Sequence, residues 1–173
     1  MTGHEVLADS VLACKPLMTR YLVGFTDSNH TTQAHLLPNH AAWTLGHCAM
    51  TMHRVAEKLD GKPAPESDFI VGATKGDAAR FGTETVAFNS RPTHERTLYP
   101  TLSLSIAIYE SAYDRLGAAV RAATDETLTK PVTWGTGQTT ISALVMRMVF
   151  HNGMHCGQIA DLRRALEMKS IFA

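Results

Sequence analysis

Four stretches of this chain space their apolar residues at alternating intervals of four and three, and this constrains the fold more than any other feature. The first runs from about Glu5 to Phe25 through Leu7, Val11, Cys14, Met18, Tyr21 and Phe25. The second follows Asn39, a good N-cap, and carries Ala42, Leu45, Ala49, Met52, Ala56 and Leu59 before Asp60-Gly61 stops it. The third, from about Pro100 to Ala122, carries Leu102, Ile106, Tyr109, Tyr113, Leu116 and Val120. The fourth opens at Thr139-Thr140 and reaches about Leu166 through Leu144, Met148, His151, His155, Gln158, Leu162 and Ala165. At about 3.6 residues per turn such spacing keeps each set on one helical face.

The reading is an all-α chain: a four-helix bundle, residues 1–173 as a single domain, with a long crossover between the second and third helices. Pro16 predicts a bend in the first helix rather than a break. The Gly- and Pro-rich crossover is expected to hold at most a short helix at Asp77–Ala87. The segment before the fourth helix is expected to hold one turn at Asp125–Leu128 and then loop. No stretch predicts a β-strand.

In the fourth helix the apolar stripe does not skip its histidines but runs through them. His151 and His155 lie about 40° apart around the axis and point inward together, the usual way for one helix to offer two imidazoles to one ion. Burying two such rings among apolar residues is costly unless both are satisfied. The second helix adds His47. Its stripe is apolar on one side, while Trp43, His47 and Met50 line nearly the opposite one. A helix apolar on two sides is buried on two sides, by the crossover or by a second subunit, so a homodimer is compatible with the pattern. Three inward histidines without a charged partner in their stripes are better explained by an ion than as three core residues. Three imidazoles leave an open position, as catalytic sites do, and suit Zn²⁺, Ni²⁺ or Fe²⁺ alike.

WTLGH at 43–47 and HNGMHCGQIADLRRAL at 151–166 together resemble the DinB/YfiT-like family of metal-dependent enzymes. His151, His155, Gly157, Gln158, Ile159, Leu162, Arg163 and Arg164 fit its HxxxHxGQIxxLRR ending, and Trp43 and Gly46 fit the lead-in to the first histidine. The resemblance covers the chain to about Leu166. It implies a four-helix bundle whose metal ligands are His47, His151 and His155. It also implies hydrolase or small-thiol S-transferase chemistry, with a divalent ion and a low-molecular-weight thiol as cofactors. The two activities share one step, activation of water or a thiol at the open position.

Other residues are weighed against plainer roles. Gln158, one turn beyond His155, is either a donor that orients an imidazole or a packing residue, with nothing in the sequence to choose. Cys48 and Cys156 each follow a ligand but are turned about 100° from it, and read as buried structural thiols. His40 belongs at the bundle mouth, while His4, His30, His35, His53 and His94 read as solvated. Glu57, Glu110 and Asp161 qualify as bases by type alone. WGTGQ at 134–138 lacks the lysine of a phosphate loop, and Arg163 and Arg164 suit a helix C-terminus without an anionic partner.

Composition excludes some functions. With 16 Lys plus Arg against 16 Asp plus Glu there is no net field to draw nucleic acid or acidic membrane. Three widely spaced cysteines argue against a disulfide framework and for a reducing compartment. No apolar run approaches the roughly 20 residues of a membrane span, nor is a signal peptide visible, so a cytoplasmic protein acting on a small molecule is expected. The rival is a non-enzymatic metal-binding or stress-response module, which should fill the fourth metal position with protein. The plainest alternative is a helical interaction protein with three core histidines.

Overall fold

Capping side chains decide where the helices begin. In the computed structural model, which describes residues 2–73 and 79–172, the Thr2 hydroxyl and Glu5 carboxylate form a reciprocal box that starts α1, Gly3–Ala13. The single bent helix expected over 5–25 is instead broken at Cys14, and α2, Lys15–Tyr21, restarts with Pro16 in its first turn. Pro16 has no N–H to donate and its ring crowds the carbonyl four residues back; at the start of a new helix neither matters.

The second predicted helix is α3, Ala41–Asp60, closed by Gly61 at φ 70°. Its N-cap is His40, one residue after the Asn39 expected. The His40 Nδ1 accepts from the Trp43 N–H at 3.2 Å, and Nε2–H donates to the Thr93 carbonyl at 2.9 Å. Thus His40 is fully buried rather than at an open mouth, and burial lowers its pKa to about 4. Thr101 caps α4, Leu102–Ala122; Thr124 caps the short α5, Asp125–Thr129; Thr140 caps α6, Ile141–Ala165.

The described chain is mostly helical, but it is not free of strands. Within the crossover β1, Phe69–Ile70, pairs in parallel with β2, Phe81–Gly82, in the register Phe69 to Phe81. The short helix expected at Asp77–Ala87 is not formed over its described part: 79–87 is strand β2 and turns, while 77 and 78 lie outside the described residues. Phe81 and Val86 are fully buried here, held by packing on α3 rather than by helical periodicity. The expected loop before α6 is a hairpin of β3, Pro131–Trp134, and β4, Gly137–Thr140, joined by the two-residue link Gly135-Thr136.

Helix α3 packs on α4 and α6, and α1 packs on the same two helices. Leu45, Met52, Tyr109, Tyr113, Leu116, Leu144, Met148 and Leu162 fill the space between them. The second apolar face of α3 is covered by the crossover of its own chain, which removes the reason to call on a second copy there. The Trp43 indole N–H donates to the Ser90 hydroxyl at 2.8 Å, and a methyl group added at Gly46 would meet Phe81 at 2.6 Å and Val86 at 2.8 Å. No described helix is long and apolar enough to cross a membrane.

Candidate metal centre

Two side-chain contacts set the register of α3 against α6. The Asn39 amide, just before α3, reaches Gln158 late in α6 at 3.2 Å, while His47 meets His151 earlier in α6. The helices therefore run antiparallel, and the inward stripe of each delivers its histidines to the same level.

There His47, His151 and His155 converge through their Nε2 atoms. The His47 and His155 Nε2 atoms lie 3.2 and 3.3 Å from that of His151, and the three ligand atoms all fall within 4.8 Å of one another. Three nitrogens each about 2.0–2.1 Å from one tetrahedral ion would sit about 3.3 Å apart, so the spacing suits a shared ion.

The Nδ1 atoms show which nitrogen is free. His47 Nδ1–H donates to the Val86 carbonyl at 2.9 Å, and His155 Nδ1–H donates to Gln158 Oε1 at 2.8 Å. Each bond places the proton on Nδ1 and leaves the Nε2 lone pair facing the common centre. His151 can donate one Nε2–H to only one of these two lone pairs. Its own Nδ1 is buried without a hydrogen-bond partner. Hydrogen bonding among the three rings therefore leaves a buried lone pair unmet, whereas an ion accepts all three.

Electrostatics keeps the rings neutral, the form that binds metal. Burial depresses all three, bringing His151 to about 3 and His155 to about 4. Proximity adds to this: His155 and His47 act on His151, and His47 on His155. Among the described residues no carboxylate or thiol joins the group. Cys48 and Cys156 are buried, and burial raises both thiols, Cys156 to about 11, as suits structural cysteines.

Trp43 walls one side. Its ring stacks on His47 at 4.6 Å, nearly parallel, and lies 6.0 Å from His155 edge-on. The crossover forms the roof, with Val86 holding His47 and Ser90 holding Trp43. A surface pocket formed by Arg20, Gly24, Arg163 and Met168 lies elsewhere, with none of the three histidines in its wall.

The other candidates fall outside the centre. Glu110 accepts from Thr19 at 3.4 Å, Asp161 pairs with Arg164, and Glu57 is exposed. Two histidines read as solvated are buried. His30 bonds the Pro100 carbonyl at 3.1 Å, and His53 sits between Arg115 at 3.1 Å and Asp68 at 3.6 Å. Arg163, expected to suit the helix C-terminus without an anionic partner, is buried and donates to the Tyr21, Val23 and Lys169 carbonyls. Asn39 was missed as a site residue because its cap-like setting explained it fully. The residue that reveals its role is Gln158, whose Oε1 accepts from both Asn39 and His155.

The family model described as the DinB superfamily matches residues 14–159. A solved structure, that of the conserved protein of a locus from Enterococcus faecalis, is similar in fold at TM-score 0.72 and 14% identity, covering 95% of this chain and 97% of that one. No curated protein matches the sequence.

Proposed function

The chain belongs to the DinB superfamily, and from that premise we propose that it is a divalent-metal-dependent enzyme, a hydrolase or small-thiol S-transferase, whose ligands are His47, His151 and His155. It acts as one domain over residues 1–173, with α1–α2, α3, α4 and α6 taken as the members of a four-helix bundle. The observation that carries the reading is the convergence of three Nε2 atoms, two of them with lone pairs fixed inward by Nδ1–H bonds to Val86 and Gln158.

A divalent ion at this point supplies Lewis acidity, lowering the pKa of a water or thiol at its remaining position. The protein's own residues do the rest. Val86 and Gln158 hold two imidazoles in one tautomer and one orientation, so little reorganisation is needed on loading. Trp43 keeps bulk water off the His47 side, which strengthens electrostatic interactions at the centre. Three protein donors and no fourth among the described residues favour an enzyme over a sensor, which should saturate its ion with protein.

The test is turnover by Zn²⁺-, Ni²⁺- and Fe²⁺-loaded protein. One panel holds activated esters and amides, and the other pairs a small thiol with alkylating electrophiles. Turnover in one panel that disappears in His151→Ala supports the enzyme. Tight metal binding with no turnover in either supports the non-enzymatic module.

A further inference from the structure

The antiparallel register that joins Asn39 to Gln158 at one end of the centre must bring later α3 residues beside earlier α6 residues at the other. Arg54 and Arg147 occupy that other end. Arg54 is seven residues past His47, so it lies about 20° off the same face, two turns or about 10 Å along the axis. Arg147 is four residues before His151, about 40° off its face and about 6 Å away along the axis. Both side chains are exposed, and neither has an ion-pair or hydrogen-bond partner among the described residues. Glu57, the acid one turn beyond Arg54, does not pair with it.

Other exposed arginines are engaged, Arg96 with the Asp27 carbonyl, Arg121 with Asp9 and Arg164 with Asp161, whereas Arg20 and Arg91 also make no ion pair or hydrogen bond among the described residues. What sets Arg54 and Arg147 apart is their place, two guanidiniums at one end of a cluster of neutral imidazoles. The opposite end carries the Asn39 and Gln158 amides.

We infer that Arg54 and Arg147 form an oxyanion-binding end of the centre, selecting substrates that carry a carboxylate or phosphate a few bonds from the reacting atom. A guanidinium presents paired N–H donors that match either group. The inference rests on the metal reading above and supplies its substrate class. Neither arginine touches the ion, so both are specificity residues rather than catalytic ones.

The experiment uses Co²⁺-loaded protein and two thiols that differ in charge, 3-mercaptopropionate and 2-mercaptoethanol. Sulfur binding is read from the thiolate-to-cobalt absorption band. The carboxylate-bearing thiol should bind about tenfold more tightly, given two partly solvated charge contacts. Arg54→Gln and Arg147→Gln should each erase most of that preference while leaving 2-mercaptoethanol unchanged, and Arg→Lys variants should restore part of it. Inorganic phosphate should compete with the carboxylate thiol in wild type only. A cobalt–thiolate band with equal affinity for both thiols, or a preference untouched in both Gln variants, overturns the inference while leaving the metal centre standing. Failure to take up cobalt sinks the metal reading instead. In that case phosphate titration of the metal-free protein, wild type against the two variants, decides the oxyanion site by its presence or loss.

Discussion

His47 and His53 lie on the same helix, six residues apart, and both are buried, yet they live in opposite electrostatic settings. His53 belongs to a charged cluster: Arg115 bonds its Nδ1 and makes a two-point pair with Asp60 at 3.0 and 2.9 Å, with Asp68 on the other side of the ring. His47 meets only rings, a carbonyl and a stacked indole, with no acid in its group. The His53 cluster is held by the Arg115–Asp60 pair and ties the crossover to α3 and α4, with His53 Nε2 and Asp68 Oδ2 buried 3.6 Å apart without a hydrogen bond. The His47 triad instead turns three Nε2 atoms onto one point, and no carboxylate or thiol among the described residues joins them. A buried histidine is therefore a site candidate by the convergence of its ring nitrogen with others on one point, rather than by its burial or by an unmet polar atom alone.

The largest expected difference between the two regions is in response to metal. Saturating Zn²⁺, at about a thousand times Kd, should stabilise wild type by about 4 kcal/mol, a rise of roughly 10 °C in Tm for a chain of this size. In His151→Ala the rise should vanish, and in His53→Ala it should persist on a lower baseline. Differential scanning fluorimetry with and without metal distinguishes these. Equal loss in both variants would mean the two regions are not independent.

The next largest difference is structural. Replacing Arg115 with Met strips the charged cluster of its cation and leaves Asp60 and two carbonyls without their donor. Urea denaturation should show a loss of about 3 kcal/mol with metal stoichiometry unchanged. Gly46→Ala acts between the regions: the added methyl must push Phe81 and Val86 off α3, costing about 2 kcal/mol. Because Val86 carries the His47 acceptor, that variant should also bind metal more weakly. Arg115→Met should not.

Acid separates the regions further. The triad's folded-state pKa values lie below the ordinary 6.5, with His151 near 3 and His155 near 4. The unfolded chain then binds more protons than the folded one, so the triad's contribution is complete above about pH 7 and is lost as pH falls from there toward 4. Metal-free urea midpoints measured across that window should decline. In His151→Leu the decline should be shallower. An equal slope would assign the acid sensitivity elsewhere.

The most local expected effect is on ligand orientation. Gln158→Leu frees the His155 ring and should weaken metal affinity about 10- to 100-fold, with Asn39→Ala weaker in the same direction. Competition against a chelator measures both, and unchanged affinity would reduce Gln158 to a packing residue.

The triad was legible because helix periodicity is a local rule: spacing alone turns His151 and His155 inward, and the two-sided apolar pattern of α3 turns His47 the same way. Helix ends at Gly61 and Thr140 were legible from the same local chemistry. What was not legible depends on partners distant in sequence. His53 read as solvated because neither Asp68 nor Arg115 is near it along the chain. The β1–β2 pairing of Phe69 with Phe81 joins residues across a segment with no helical or alternating pattern. Pro16 was expected to bend the first helix, whereas the helix breaks at Cys14; whether it bends or stops there depends on the packing of α2. Asn39 illustrates the limit most clearly, since its amide reaches a residue more than a hundred positions away.

The central claim is that the three histidines share one ion. Elemental analysis of untagged protein, purified without added metal and again after offering Zn²⁺, Ni²⁺ and Fe²⁺, tests it most directly, with wild type beside His47→Ala, His151→Ala and His53→Ala. The account predicts about one metal per chain in wild type and His53→Ala, and none in the two triad variants. No metal in wild type after all three ions, or metal retained in both triad variants, would contradict it.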